Sequence, residues 1–135
     1  MLNKILAIMA LVSAMAFSPV TNAEIAVIVN PANSSALTSD ELTRLYTGRS
    51  SAFTAINLVE SSPLRSEFDE KGVGRSSAQL KSHWAKLVFT GKGTPPTELE
   101  TQADVIDYVS KNINAIGYVD SANVTDAVKV ILTLN

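Results

Sequence analysis

Short apolar runs that alternate with helical patterns place the strongest constraint on how this chain can fold. The runs cover residues 24–30, 55–59, 115–119 and 127–133. The first is almost continuously apolar, which is typical of a strand buried on both faces of a sheet. Strands that alternate with helices indicate a mainly parallel sheet with helices on both faces. We therefore predict an α/β domain with three layers and about four strands.

Capping signals predict where the helices begin. Thr38 with Glu41, and Ser76 with Gln79, match the capping-box pattern, and Thr101 is a good N-cap for a further helix. Apolar residues at helical spacing then give each helix a buried face. The face predicted for the helix after Ser76 consists of Leu80, Trp84, Leu87 and Val88.

The N-terminal segment has the pattern of a secretory signal peptide. Lys4 precedes an apolar run over residues 5–17, and small residues lead to a cleavage site after Ala23. The run is short for a bilayer span and no second one follows, so we expect no membrane-spanning segment. Cleavage would leave residues 24–135 as one domain. The absence of cysteine also argues against a lipid anchor, so the predicted location is the periplasm.

Composition excludes several classes of function. The chain has 11 basic and 13 acidic residues with no basic block, so nucleic acid is not an expected partner. His83 is the single histidine and cysteine is absent, which excludes a metal site rich in histidine or thiolate. The chain shows no pattern that combines a nucleophile, a base and an orienting group. We therefore expect no catalytic residues, no metal and no cofactor.

The segment over residues 58–68 is the strongest candidate for a binding site. An apolar strand stops at Glu60, Ser61 and Ser62 follow, and Pro63 is well placed as the first residue of a helix. Unpaired backbone N–H groups at a helix start attract anions. The predicted donors are two serine hydroxyls, the backbone N–H groups of Leu64 and Arg65, and the Arg65 guanidinium. The residues concerned are Ser61, Ser62, Leu64 and Arg65.

An alternative for Arg65 remains open at this point. Glu60 and Glu67 are close enough in sequence to neutralise Arg65 through ordinary surface ion pairs. In a parallel sheet, ligands bind beyond the carboxyl ends of the strands. The loops expected at that edge cover residues 31–35, 60–62 and 120–123.

Four stretches of the chain, taken in order, resemble one protein family. They are residues 42–49, 61–68, 89–93 and 115–119, of which the most specific are the helix ending in Tyr-Thr-Gly-Arg and the strand Ala-Ile-Gly-Tyr-Val. These stretches resemble the phosphate-binding periplasmic proteins of ABC transporters, in particular their short single-domain relatives. The resemblance implies one lobe of a periplasmic-binding-protein-like fold, with phosphate or a related oxyanion as ligand.

The resemblance also shows where this chain departs from the family. Full-length members have two lobes and grip phosphate with a Ser-Gly-Thr turn; here Ser62 matches the serine, whereas Pro63 and Leu64 replace the other two residues. A single lobe leaves one side of the ion in water. We therefore expect affinity of about millimolar for a monomer, unless a second copy or a transporter covers the ion. The alternative is an interaction or assembly protein that kept the lobe and lost the ligand. Its surface is expected where the missing lobe would pack.

Overall fold

The computed structural model describes residues 24–135, so the predicted signal peptide over residues 1–23 lies outside the described residues. The strands are β1 (Ile25–Val29), β2 (Thr54–Leu58), β3 (Thr97–Leu99), β4 (Ala115–Asp120) and β5 (Lys129–Leu134). The α-helices are α1 (Ser39–Tyr46), α2 (Pro63–Phe68), α3 (Ser77–Phe89) and α4 (Gln102–Lys111). A π-helical turn (Asp69–Val73) follows α2, and a 3-10 turn (Ser121–Asn123) follows β4.

The five strands form one mixed sheet in the order β3-β2-β4-β1-β5. β2 is parallel to β3 and β4, whereas β1 is antiparallel to both of its neighbours, β4 and β5. The predicted α/β class is confirmed, but the prediction of about four mainly parallel strands needs correction. β3 has three residues and follows two prolines, so it lacks the apolar run by which the other strands can be recognised.

Helices cover both faces of the sheet. On one face, α4 packs directly on β4 at Gly117, where a Cβ atom would lie 2.6 Å from Val105 Cγ1. On the other face, the rings of Phe68 and Tyr118 stack with centroids 3.7 Å apart. Tyr46 of α1 meets Phe68 edge-on with the centroids 4.8 Å apart. The predicted arrangement of three layers is therefore confirmed.

The hydrophobic core is centred on β1 and β4. Every residue of β1 is buried, as are the first five residues of β4. The Tyr46 hydroxyl donates a hydrogen bond to the backbone oxygen of Ile56 over 2.7 Å, which satisfies a polar group inside this core. Among the described residues, the buried hydrophobic side chains of the core extend from Ile25 in β1 to Leu134 in β5.

The predicted helix starts are confirmed. Thr38 and Thr101 each accept a hydrogen bond from the backbone N–H three residues later, and Ser76 forms a complete capping box with Gln79. α3 differs from its prediction at one end. Leu80 is buried and Trp84 and Leu87 are half-buried, but 51% of Val88 is exposed. The helix lies at the periphery, where it packs against the π-helical turn, so its last turn extends past the core.

Within residues 24–135, no helix has the length and apolar character that crossing a membrane would require.

Candidate functional site

The parallel strands β2, β3 and β4 all end at the same edge of the sheet, which we call the carboxyl edge. Residues 59–62 and the 3-10 turn lie there, as predicted from the strand pattern. The loop over residues 31–35 does not, and that expectation was wrong. Because β1 runs in the opposite direction, this loop lies at the other edge, where the Asn33 side chain donates to the Ile113 backbone oxygen over 2.9 Å. We call that other edge the amino edge.

The turn between β2 and α2 is held by backbone hydrogen bonds. The Val59 N–H donates to Leu99 O over 3.0 Å, and the Ser62 N–H donates to Val59 O over 3.0 Å. Ser62 has extended backbone angles, and Pro63 begins the helix as predicted. These contacts present Ser61 and Ser62 at the carboxyl edge, with Ser61 exposed and Ser62 half-buried.

The polar groups of this turn differ in their freedom to bind a ligand. The hydroxyls of Ser61 and Ser62 have no hydrogen-bond partner among residues 24–135, and Ser62 does not cap the helix with its side chain. The Leu64 N–H also has no backbone acceptor within that range. The Arg65 N–H is already used, since it donates to Ser62 O over 3.0 Å. Of the predicted donors, the two serine hydroxyls and the Leu64 N–H therefore remain available.

The Arg65 side chain points into the protein. Its Nη1 donates to Leu58 O over 2.7 Å and to the Glu98 carboxylate over 3.1 Å, and its Nε donates to the Asp69 carboxylate over 3.1 Å. The expected alternative of surface pairs with Glu60 and Glu67 is not what the structure shows. Arg65 instead ties the end of β2 to β3 and to the π-helical turn.

A second layer of contacts surrounds this arginine. Ser77 Oγ donates to the same Asp69 oxygen over 2.6 Å, whereas Asp69 Oδ1 is buried and has no hydrogen-bond partner in the part of the chain described. The Arg65 and Asp69 side chains are 7% and 1% exposed, so water screens their attraction poorly. Glu98 is 43% exposed and its contribution is correspondingly smaller.

Burial and pairing shift the pKa values of the two central groups. Burial alone lowers the pKa of Arg65, but the Asp69 carboxylate and other neighbours outweigh it and raise the pKa above its ordinary value. Burial raises the pKa of Asp69, and the hydrogen bond from Ser77 and the charge of Arg65 offset only part of this effect. Arg65 is therefore firmly cationic, while the Asp69 charge is the costly member of the pair.

A cavity of about 170 Å³ adjoins Arg65. Its lining residues are Asn57, Glu60, Arg65, Leu80, Lys81, Trp84, Pro95, Pro96 and Glu98. The lining carries two carboxylates and two cations, so the cavity has no strong net positive charge. The lining includes Arg65 but not Ser61, Ser62 or Leu64. The Arg65 Nη2 amino group forms no hydrogen bond to residues 24–135.

The sequence interpretation missed three members of this cluster. Asp69 lies four residues after Arg65 on a helical segment, a spacing that signals an ion pair and could have been recognised. Ser77 and Glu98 carry no such signal, because the fold brings them to Arg65 from α3 and β3. In residues 24–135, no group of three or more histidine, cysteine, aspartate or glutamate residues is placed to hold a metal ion.

This architecture is an α/β fold that matches one lobe of the periplasmic-binding-protein-like fold. The chain is similar to an ABC-type phosphate transport receptor from Vibrio cholerae, with a TM-score of 0.61 and 20% identity over 81% of this chain and 46% of that one. It is also similar to a protein from Clostridium perfringens that is described as a phosphate ABC transporter substrate-binding protein and was crystallised with bound phosphate. That match has a TM-score of 0.65 and 22% identity over 81% of this chain and 45% of the other.

A third similar structure is PstS from Borrelia burgdorferi, with a TM-score of 0.51 and 16% identity over 72% of this chain and 41% of that one. The chain spans less than half the length of these solved proteins. No protein-family model matches the chain, and no curated protein matches it. The fold that the sequence resemblance implied is therefore confirmed.

Proposed function

We propose that this chain is a non-enzymatic, solute-binding-like module that recognises phosphate or a related oxyanion where β2 gives way to α2. The observation that carries the proposal is the set of free donors in this turn: the hydroxyls of Ser61 and Ser62 and the backbone N–H of Leu64. Hydrogen bonds to a charged acceptor are stronger than those to a neutral one. The solved proteins of similar fold, which include one with bound phosphate, support the same ligand class.

Arg65 has two roles in this proposal. Through Nη1 and Nε it holds β2, β3 and the π-helical turn together, which fixes the position of the turn that carries Ser61 and Ser62. We propose that Nη2, which has no partner among residues 24–135, is the remaining donor for an anion in the adjoining cavity. Because Asp69 and Glu98 already neutralise most of its charge, Arg65 adds less affinity than an unpaired arginine would add.

Glu60 influences which oxyanion fits. Its carboxylate belongs to the same turn and lines the cavity beside Arg65. A carboxylate repels a fully deprotonated anion but accepts a hydrogen bond from one that keeps a proton. Phosphate keeps at least one proton at neutral pH and sulfate keeps none, so the site should prefer phosphate.

The proposed setting is the periplasm, which the chain would reach through the signal peptide predicted for residues 1–23. The turn is open to water on one side, since Ser61 is exposed. We therefore propose weak binding by the monomer, about millimolar, with a transporter or a second copy covering the ion.

The test is an NMR titration of residues 24–135 with phosphate and, separately, with sulfate. We expect saturable shifts confined to residues 60–66 with phosphate and smaller shifts with sulfate. Ser62→Ala should weaken phosphate binding about threefold to tenfold, since one hydrogen bond to a charged group is lost. Ser66→Ala is the matched control, because Ser66 is exposed on the same helix and its hydroxyl is turned back to Pro63 O. Absence of shifts at tens of millimolar phosphate would refute the proposal.

A second candidate function is that of an interaction or assembly module. It is favoured by exposed apolar side chains at Val88, Phe89, Ile113 and Val130. These side chains belong to element ends at the amino edge, not to the carboxyl edge where the phosphate-binding turn lies. Silence in the phosphate titration together with self-association in sedimentation experiments would favour this candidate.

A further inference from the structure

The last turn of α3 exposes two large apolar side chains. Phe89 is 89% exposed and Val88 is 51% exposed, whereas the preceding Leu87 is half-buried. Single exposed apolar residues are common on protein surfaces, but a nearly bare phenylalanine beside an exposed valine forms a compact apolar tip. Removing such a tip from water would be favourable, so its surroundings indicate what could cover it.

Backbone hydrogen bonds hold this tip in a defined position. The Lys92 N–H donates to Leu87 O over 2.8 Å, and the Gly91 N–H donates to Val88 O over 3.1 Å. Gly91 has a φ of 69°, the left-handed conformation that glycine adopts without strain. This pair of bonds is the Schellman motif that ends many helices. Phe89 therefore projects from an ordered helix end.

All charged residues in the sequence around the tip are basic. Residues 71–97 contain five lysines and arginines and no aspartate or glutamate, although acidic residues outnumber basic ones in the whole chain. Lys86 and Lys92 flank the apolar pair, and both are exposed. Neither forms an ion pair with any residue from 24 to 135. The tip thus combines apolar surface with unpaired positive charge.

The tip lies away from the proposed phosphate site. The loop over residues 90–96 leads from α3 to the first residue of β3, and its end lines a groove with Gly48, Thr54 and Thr97. Thr54 and Thr97 are the first residues of parallel strands, so this groove marks the amino edge. The turn with Ser61 and Ser62 occupies the opposite, carboxyl edge.

We propose that the tip formed by Lys86, Val88, Phe89 and Lys92 docks on the surface of an anionic lipid bilayer. Interfacial membrane binding combines a buried apolar contact with attraction between lysines and anionic headgroups, and the tip supplies both. A stable protein interface needs about 800 Å² from each partner, far more than two apolar side chains at a helix end expose. Docking in this way would turn the carboxyl edge, with its free donors, away from the bilayer.

The experiment measures co-sedimentation of residues 24–135 with vesicles of phosphatidylcholine alone or with about one third phosphatidylglycerol. We expect binding to the anionic vesicles only, and its loss in high salt. Phe89→Ser should lower the partition coefficient about tenfold, whereas Phe89→Leu should retain most of the binding. Lys86→Gln with Lys92→Gln should lower the coefficient about 25-fold, since each lysine contributes about fivefold.

Lys81→Gln is the matched control, because it removes one exposed lysine from the same helix outside the tip. We expect its partition coefficient to stay within about twofold of the parent protein's value. Failure of the parent protein to bind anionic vesicles would overturn the proposal, and so would undiminished binding by Phe89→Ser. Sedimentation equilibrium without lipid provides a further check. A dimer that Phe89→Ser abolishes, with no vesicle binding, would assign the tip to self-association instead.

Discussion

Removing the Arg65 guanidinium is expected to lower the free energy of unfolding strongly. Arg65→Met keeps most of the side-chain volume but deletes the guanidinium, which leaves the Asp69 carboxylate 1% exposed with Ser77 as its remaining donor. Breaking a buried ion pair from one side costs about 3–5 kcal/mol, because the charge left behind is uncompensated. The hydrogen bond to Leu58 O is lost as well.

The size of the destabilisation depends on how strongly each of the two carboxylates, Asp69 and Glu98, interacts with Arg65. Glu98 is 43% exposed, so water screens its attraction to Arg65 and its loss should cost about 1 kcal/mol or less. Almost all of the destabilisation should therefore arise from the pair with Asp69. The free energy of unfolding in urea is the quantity to measure, for residues 24–135 and for the variants Arg65→Met, Asp69→Leu, Glu98→Gln and Arg65→Met/Asp69→Leu.

We expect Arg65→Met and Asp69→Leu each to destabilise the protein by about 3 kcal/mol or more. The double variant should be markedly more stable than the sum of the two changes implies, because neither charge is then left alone in the core. Glu98→Gln serves as the control for a partly exposed partner. A cost below about 1 kcal/mol for Arg65→Met would show that the arginine behaves as a surface residue, and would refute the argument.

Three further predictions concern stability. Because burial raises the pKa of Asp69 above its unfolded value, the native state binds more protons than the unfolded state between those two pKa values. The stability of the parent protein relative to Asp69→Asn should therefore fall as the pH rises through that range. Urea unfolding at several pH values measures this difference, and a rise in stability would contradict the prediction. Gly117→Ala should destabilise by about 1–3 kcal/mol, because its Cβ would lie 2.6 Å from Val105 Cγ1, and Val105→Ala should relieve part of the cost in thermal unfolding. Ser76→Ala removes the cap of α3 and should cost about 1 kcal/mol, whereas Ser82→Ala on the exposed side of the same helix should be nearly neutral by the same assay.

Much of the secondary structure could be predicted from the sequence because its causes are local. Thr38, Ser76 and Thr101 are N-caps and mark the starts of their helices, and apolar runs indicate four of the five strands. The direction of β1 could not be predicted, because an apolar run reads the same for either strand direction. Its orientation comes from pairing with β4 and β5, which lie far away in sequence.

The candidate site also has some features with local causes and others that depend on residues distant in sequence. Pro63 and the serines before it are recognisable as a helix start, and the structure places that start where it was expected. The pairing of Arg65 with Glu98 could not be predicted, because a strand of only three residues brings Glu98 in from outside the local sequence. Whether the turn binds an oxyanion stays a prediction.

The position of β1 has a consequence for how the chain folds. This first strand fills the slot between β4 and β5, and Ile25 faces Asp120 on one side and Leu134 on the other. Such distant pairings form slowly, because the entropy cost of closing a long loop comes before any stabilising contact is made. β1 can pair with β4 only after β4 has been synthesised, and β1 remains an edge strand until β5 pairs with it. Until β5 is in place, the backbone N–H and C=O groups along one side of β1 have no strand partner, and such an open edge can pair with other chains.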